Sequence, residues 1–429
     1  MVQIRSACLQ AIQRRRIVAA QALRTLWQDA GLAPVALPDT LLTGREPVLP
    51  SSFAVATALQ ASLGAAAAAA AAIGQQRGGP VQSVSVDALD AVAEASGRFA
   101  IDGRSPDIWD KLAGLYPCGD GGWVRLHTNF AHHRDGVLRL LGLPEGPDTE
   151  RAAVAQALLR WQAADFEQAA ADASLVVAML RSFERWDQHP QAAALAAQPL
   201  LALQRHGDAP APAWAPLPAG ARPLQGLRVL DLTRILAGPV AGRTLAAYGA
   251  DVMLVNSPHL PNIESIAETS RGKLSVHIDL KTEAGRETLR GLVRQADVFL
   301  HGYRPGALAA LGFGPDDLQR LNPRLVAVQL SAYGETGPWA GRRGFDSLVQ
   351  TATGFNQAEA QAFGVAEPKA MPVQVLDYSA GFLLAFGAQA ALRLLRACPL
   401  ALAALLRLPF ALPSRVLLAL GYDAADDQR

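Results

Sequence analysis

Apolar residues in the second half of the chain occur in short, nearly continuous runs separated by longer amphipathic stretches. The runs predict strands at residues 227–232, 251–255, 298–300 and 325–330. The stretches around them predict helices at residues 238–248, 284–295 and 315–321. Strands that are apolar throughout and alternate with helices are typical of a parallel sheet buried on both faces. We therefore predict an α/β fold with a Rossmann-like parallel sheet.

The first half of the chain is richer in helix and includes a unit with a different pattern. Helices are predicted at residues 12–26, 56–72, 87–95, 134–141, 151–161, 163–171 and 175–185, and a short strand at 83–86. A glycine-rich turn predicts a β-hairpin at residues 116–126. We expect a second, smaller α+β domain from about 103 to 205 within a first region, 1–215, that ends in a proline-rich linker at 208–223. The Rossmann-like region then spans 216–396, and an atypical tail spans 397–429.

Composition narrows the classes of function. Half of the residues are hydrophobic and the net charge is +1, which predicts a packed core and gives no indication of nucleic-acid binding. Arg14, Arg15 and Arg16 lack accompanying aromatic residues, so they predict a solvated helix face. Three cysteines are too few for a disulfide framework and indicate a cytoplasmic protein. Neither an export signal nor a membrane-spanning segment is predicted.

Two kinds of cofactor site are disfavoured by the residue pattern. The first strand of the predicted sheet lacks a following G-x-G-x-x-G sequence, which disfavours a nicotinamide or flavin dehydrogenase. His127, His132 and His133 lie close in sequence, but no cysteine or carboxylate stands at ligand spacing among them. The histidines favour a polar helix start, and no metal or tightly bound cofactor is predicted.

One segment of the first half resembles a segment of the second. Residues 53–65 align with residues 376–388 at constant spacing, and both continue as alanine-rich helices. Asp377 falls opposite Ala54, so only one copy retains an ionisable side chain. Coincidence between two helices rich in small residues is the alternative to a true repeat.

Ten stretches of the second half, in the right order and spacing, resemble the N-terminal half of the family III CoA-transferases, the CaiB/BaiF group. They are residues 226–234, 236–239, 249–252, 271–273, 278–281, 303–306, 321–324, 333–338, 343–346 and 376–381. Residues 75–205 resemble the C-terminal half of that family, through 79–87, 120–124 and 186–190. The resemblance therefore implies a fused or rearranged form in which the C-terminal half comes first.

The resemblance implies that the protein moves CoA between an acyl-CoA and a carboxylic acid. Asp377 is then the nucleophile, which forms a mixed anhydride and next an aspartyl-CoA thioester that the acceptor carboxylate resolves. Gly381 would let backbone N–H groups approach the oxyanion. From the residues alone, Asp377 is equally a candidate N-cap of its helix. The resemblance also implies that certain residues contact CoA: Arg234, Ile235, Leu236, Ala237, Lys273, Tyr303 and Arg304.

The same resemblance extends to the α-methylacyl-CoA racemases, which pair the aspartate with a histidine in a Gly-His-Asp block. Here that block has Phe345, which cannot exchange a proton, so a racemase or isomerase is disfavoured. The chain also departs from the family at Asn256, Leu274 and His301. These departures keep open a catalytically inactive CoA-binding or scaffold subunit.

The resemblance further implies a homodimer, or a pseudo-dimer within one chain if the halves are duplicated. Residues 397–429 do not follow the family pattern, and we hypothesise a truncated or frame-shifted terminus. Sequencing the gene across codons 390–429 tests this, because the same tail in an intact frame in close relatives would contradict it. The pattern does not identify the acyl group or the acceptor.

Overall fold

The computed structural model describes residues 18–205, 214–260, 262–397 and 404–409. In the first half the helices are α1 (Ala19–Asp29), α2 (Val55–Gln76), α3 (Ala88–Glu94), α4 (Ala131–Leu140), α5 (Arg151–Leu158), α6 (Ala163–Asp172), α7 (Phe183–Asp187) and α8 (Pro190–Ala196). The strands are β1 (Thr40–Thr43), β2 (Val84–Asp87), β3 (Gly114–Pro117), β4 (Trp123–Leu126), β5 (Val177–Met179) and β6 (Ala202–Arg205). The arginine triplet at 14–16 and part of the linker lie outside the described residues.

The second half alternates strand and helix. Its strands are β7 (Arg228–Leu232), β8 (Asp251–Asn256), β9 (Lys273–His277), β10 (Val298–His301), β11 (Val326–Ser331) and β12 (Ala404–Pro409). Its helices are α9 (Ala237–Ala247), α10 (Ile266–Thr269), α11 (Glu283–Val293), α12 (Pro315–Leu321), α13 (Asp346–Thr353), α14 (Phe355–Ala362) and α15 (Val375–Ala397). The four strands and three helices predicted for this half are confirmed, with ends that differ by one or two residues.

One seven-stranded sheet organises the molecule, in the order β6-β12-β11-β10-β7-β8-β9. All of its neighbouring strands run parallel except β6, which is antiparallel to β12. The central strand β10 is buried at every position, as expected for a strand covered on both faces. The predicted α/β class with a Rossmann-like parallel sheet is confirmed.

A second sheet lies in the smaller α+β region. Strands β3, β4 and β5 form an antiparallel sheet, and this region has its own hydrophobic cluster, which includes Leu112, Val124 and Phe166. The hairpin is confirmed. The helix predicted at 175–185 is wrong: Val177–Met179 pairs with β4, and a helix begins only at Phe183. Adjacent β-branched residues Val176 and Val177 favour the strand, and the neighbouring hairpin supplies its partner.

The two alanine-rich helices that carry the apparent repeat pack against each other in the core. Helix α2 begins at Val55 and α15 at Val375, and Ala65, Ala69 and Phe386 lie in one hydrophobic cluster. Both are long and apolar enough to cross a bilayer, yet 83% and 100% of their most apolar windows are buried inside the protein. Small side chains allow this close helix packing.

Several elements have no counterpart in the sequence prediction. Strands β1, β6, β9 and β12 and helices α13 and α14 were not predicted, because each is short or depends on a distant pairing partner. Most of the hypothesised truncated tail, residues 398–403 and 410–429, lies outside the described residues. Residues 404–409 form β12, which is hydrogen-bonded between β11 and β6.

Candidate active site

Asp377 lies in the first turn of α15 and is 8% exposed. It is the third residue of its helix, so the N-cap interpretation is wrong. That role belongs to Asp346, whose Oδ2 accepts hydrogen bonds from the backbone N–H groups of Leu376 (2.8 Å) and Asp377 (2.9 Å). An acidic group is favoured at this position because the N-terminus of a helix is electropositive. Asp346 therefore fixes the helix start that carries Asp377.

A second helix start meets the Asp377 side chain. The backbone N–H of Ala237, the first residue of α9, lies close enough to the Asp377 carboxyl to oppose the rise in its pKa. This close approach requires glycine at position 381, since a Cβ there would lie 2.6 Å from the Ala237 carbonyl oxygen and 2.7 Å from Val240. Gly381 thus acts through the helix crossing, which brings the start of α9 to the acid.

The two aspartates form a buried, interacting pair. Burial raises the pKa of Asp346 to about 6, although hydrogen bonds from Asp377 N–H, Gln350 and Leu376 N–H oppose the shift. Burial raises the pKa of Asp377 well above its usual value, the nearby Asp346 charge raises it further, and the Ala237 N–H opposes both. The carboxyls therefore lose their protons one after the other rather than independently.

The loop between β7 and α9 has a strained backbone. Ile235 has φ +77°, a conformation that costs free energy for a β-branched residue. The loop starts at Thr233, whose backbone N–H donates to Asp231 Oδ1 at 3.0 Å. Leu236 then precedes the first turn of α9. This loop is the segment predicted to lie along CoA, and such strain is common in ligand-binding loops.

Lys273 is enclosed beneath that loop, which is at odds with the predicted phosphate contact. Its side chain and that of Asp231 have no exposed surface, and Lys273 Nζ donates to Asp231 Oδ2 and to the Pro239 carbonyl oxygen, both at 2.8 Å. Reaching a ligand would break a buried ion pair and leave Asp231 uncompensated. We therefore assign Lys273 to the support of the loop and not to CoA.

The remaining predicted CoA residues gather at one crevice of the sheet. The chain reverses direction across the sheet between β7 and β10, and ligands of doubly wound folds bind at the carboxyl ends of such strands. Arg234 follows β7, while Tyr303 and the exposed Arg304 follow β10. The Arg234 guanidinium lies 5.5 Å from the Phe130 ring centroid, which places the smaller α+β region beside the crevice.

Further basic groups adjoin this crevice. Arg343 Nη1 donates to His133 Nε2 at 3.0 Å, and Arg304 and Arg343 lie close enough for their charges to repel, which together with burial lowers the pKa of Arg343. Burial and the charges of neighbouring groups, His132 and Arg343 among them, lower the pKa of His133 to about 3, consistent with its acceptor role. His132 and His133 lie in the first turn of α4, which confirms the predicted helix start. Within the described ranges, no group of three ligand-type side chains could hold a metal.

A cavity of about 290 Å³ lies next to the chain segments that carry the two acids, although neither aspartate belongs to its wall. Its wall includes Val373, Gln374 and Tyr378, which flank Asp377 in sequence, and Leu236, which precedes Ala237. Arg125 of β4 also lines it. The roles of Asp346 and Arg125 were not predicted from the sequence. Asp346 belongs to the Gly-Phe-Asp block, where only Phe345 gave a functional argument. Arg125 belongs to the β3–β4 hairpin, which reaches this cavity only in the folded protein.

Comparisons with known proteins agree with this architecture. A model of CoA-transferase family III matches residues 28–213 and 224–397. An acyl-CoA transferase of Gibberella moniliformis is 33% identical over 302 residues, which cover 66% of this chain and 52% of that protein. A probable fatty acyl-CoA transferase of Mycobacterium tuberculosis is 39% identical over 186 residues, covering 40% of this chain and 47% of that protein.

A succinate–glutarate CoA-transferase of Agrobacterium fabrum is 37% identical over 189 residues, which cover 40% of this chain and 47% of that protein. The chain spans about half the length of these curated relatives. The family model, in contrast, matches most of the chain, in two segments that together include six of the seven strands of the main sheet, the smaller region and Asp377. The chain therefore belongs to CoA-transferase family III.

Proposed function

We propose that this protein transfers CoA from an acyl-CoA to a carboxylic acid, with Asp377 as the nucleophile. The single observation that carries the proposal is the Asp377 carboxyl, withdrawn from water between the starts of α9 and α15. The names of the relatives, which include CoA-transferases for succinate and glutarate and for formyl-CoA and oxalate, support the reaction class.

The reaction proceeds by four successive acyl substitutions that begin and end with the free Asp377 carboxylate. The Asp377 carboxylate attacks the thioester carbonyl and expels CoA thiolate, which leaves a mixed anhydride. The thiolate attacks the aspartyl carbonyl carbon of the anhydride, releases the first acid as its carboxylate and forms an aspartyl-CoA thioester. The acceptor carboxylate attacks that thioester, giving a second anhydride that thiolate resolves at the new acyl group, so that Asp377 is regenerated.

Each neighbour of Asp377 has a part in these exchanges. Asp346 positions the acid by holding the start of α15, and the backbone N–H of Ala237, which already favours the charged form of Asp377, would stabilise negative charge that forms at this carboxyl. Burial supports the attack because the carboxylate need not shed an extensive hydration shell. The proposal needs no metal and no tightly bound cofactor, since every bond made or broken lies in the substrates and Asp377.

CoA would lie in the crevice between the carboxyl ends of β7 and β10. The loop Arg234, Ile235, Leu236 and Ala237 then borders it on one side, and Tyr303 and Arg304 on the other. Arg343, supplied by the segment before α13, extends the positive surface toward the CoA phosphates. A planar guanidinium matches phosphate oxygens in pairs, so arginines are well suited to this role.

A transfer assay tests the proposed function. Succinyl-CoA, butyryl-CoA and acetyl-CoA are each incubated with glutarate, and formation of glutaryl-CoA is measured by chromatography. Asp377→Asn should lower the rate at least about 10³-fold because it removes the nucleophile, while Asp251→Asn on the exposed start of β8 should match the wild type. Wild-type rates in Asp377→Asn would overturn the proposal. No transfer by the wild type, with CoA binding intact, would favour the inactive CoA-binding subunit.

One observation keeps the racemase alternative under test. The His127 ring stacks on Phe345 with centroids 3.9 Å apart, so an imidazole lies next to the position of the family histidine. Burial, with the charge of Arg125, lowers the pKa of His127 to about 3, so the ring is neutral at pH 7 but is a weak base. Deuterium uptake at the α-carbon of 2-methylacyl-CoA, lost in His127→Ala, would support racemisation; no uptake would exclude it.

The remaining expectations are part of the same proposal. We infer a cytoplasmic homodimer that acts on a free acyl-CoA and a free carboxylic acid, without nucleic acid or a membrane as partner. Light scattering coupled to gel filtration tests the assembly. A mass of twice 45.2 kDa supports the homodimer, and a monomeric mass would support the pseudo-dimeric chain instead.

A further inference from the structure

The cavity beside the acid pair contains an arginine for which the described residues supply no ion-pair partner. Arg125 is half-buried, and its Nε is buried without a hydrogen-bond partner. Its guanidinium carbon lies 6.0 Å from the centroid of the Trp109 ring, which also lines the cavity. Asp346 is close enough to favour the charged form of Arg125 but forms no ion pair with it. A charged donor in such a place lowers the free energy of a bound anion strongly.

The acidic residue in the cavity wall is already neutralised. Glu268 forms ion pairs with Arg243 and, at 3.2 Å, with Arg271. The free charge on the cavity surface is therefore positive and belongs to Arg125. Burial lowers the pKa of Arg125 only to about 10, so the guanidinium remains charged near pH 7.

A second buried donor without a hydrogen-bond partner also indicates a ligand that carries acceptor atoms. The Tyr378 hydroxyl is buried and has no hydrogen-bond partner, and it approaches Gly97, another residue of the cavity wall. Burial raises the pKa of Tyr378 to about 12, so the hydroxyl keeps its proton and can donate it to an acceptor. Two buried donors without acceptors lower the stability of the folded protein unless a ligand accepts hydrogen bonds from them.

The rest of the wall is mainly apolar and the space is small. Its apolar residues include Phe99, Ile108, Trp109, Leu236 and Met371. Ligand pockets commonly measure about 300–1,000 Å³, so a volume of about 290 Å³ suits a short chain.

We infer that this cavity binds a short-chain dicarboxylic acid, with one carboxylate at Asp377 and the far carboxylate on Arg125. The inference rests on the proposed function, since the near carboxylate is the one that attacks the aspartyl thioester. The methylene groups between the carboxylates lie against the apolar wall, and the Tyr378 hydroxyl is available to a ligand oxygen. Arg125 is then the residue that selects dicarboxylates over monocarboxylates of equal length.

Calorimetry on Asp377→Asn protein saturated with CoA tests this inference independently of turnover. Glutarate and pentanoate have equal chain lengths and differ in the far carboxylate. We expect glutarate to bind at least tenfold more tightly, about 1.4 kcal/mol, and the preference to disappear in Arg125→Met. Arg125→Lys should keep part of the preference because it keeps the charge, and Arg139→Met, on an exposed arginine of α4, should keep all of it.

Each contrary result has a definite meaning. Equal binding of the two acids, binding of neither, or an undiminished preference in folded Arg125→Met would overturn the dicarboxylate assignment. If Arg125→Met does not fold, as judged by its melting temperature, the comparison of the two acids and the Arg125→Lys protein decide the matter. A preference for glutarate in a protein whose wild type transfers no CoA would uphold the binding site and overturn only the proposed reaction.

Discussion

At the scale of single residues, the site depends on two carboxyl groups with different tasks. In the proposed mechanism Asp377 attacks the substrate, while Asp346 accepts hydrogen bonds from the backbone N–H groups of Leu376 and Asp377 at the start of α15. Family resemblance pointed to Asp377 directly. It could not reveal the role of Asp346, because that role arises only when α13 and α15 start side by side. A second acid that raises the pKa of the first makes the reaction sensitive to pH.

The charge of Asp346 should be visible in the pH profile of transfer. Attack requires ionised Asp377, so the rate rises as pH increases through the pKa of that group. Asp346→Asn removes the negative charge that raises this pKa, and the acidic limb of kcat/KM should move to lower pH. Asp251→Asn serves as the control, with an unchanged profile. A lower rate with the limb in the wild-type position would mean that Asp346 acts only on structure.

At the scale of secondary-structure elements, the catalytic acid depends on how closely α9 crosses α15. Gly381 has no side chain, which allows the backbone of α9 to approach, and the ion pair of Lys273 with Asp231 supports the loop that leads into α9. Sequence periodicity predicted α9 within one residue at each end, and α15 only as an alanine-rich helix without defined ends. It predicted neither the crossing of the two helices nor the edge strand β9, which is recognised only from its hydrogen bonds to β8.

Gly381→Ala should separate the two helix starts. The new Cβ would meet the Ala237 carbonyl oxygen at 2.6 Å, so α9 must shift and its N–H withdraws from Asp377. We expect transfer to fall by about 10- to 100-fold, in the range of lost oxyanion-type donors, with a lower melting temperature. Gly291→Ala in α11, where a Cβ meets no atom within 4 Å, is the matched control and should be neutral or stabilising. Wild-type activity in Gly381→Ala would contradict the crossing as the source of the contact.

Lys273 should affect stability more than CoA affinity. Lys273→Met leaves Asp231 buried without its partner, which should cost about 3–5 kcal/mol of unfolding free energy, measured by urea denaturation. The double variant Lys273→Met/Asp231→Leu should recover part of this loss because no lone charge remains. Lys281→Met, at an exposed position, is the control. Unchanged stability together with weakened CoA binding would restore Lys273 as a phosphate contact.

At the scale of the whole molecule, the fold brings distant parts of the chain to one crevice. Near-continuous apolar runs predicted the strands of the main sheet, because burial on both faces leaves a strong sequence signal. The order of strands, β5 within the smaller region and the placement of Arg125 beside Asp346 could not be predicted, because they depend on pairings between residues far apart in sequence. The loop Arg234–Ala237 was found by resemblance, while the enclosure of Lys273 was visible only in three dimensions.

The central claim is that Asp377 forms a covalent intermediate with CoA. Protein incubated with an acyl-CoA is treated with hydroxylamine or borohydride and then digested. The mass of the peptide that contains residue 377 is measured by mass spectrometry. We expect Asp377 to be converted to its hydroxamate or to the reduced alcohol. This conversion should require acyl-CoA and should be absent in Asp377→Asn. An unmodified Asp377 in protein that is actively transferring CoA would contradict it.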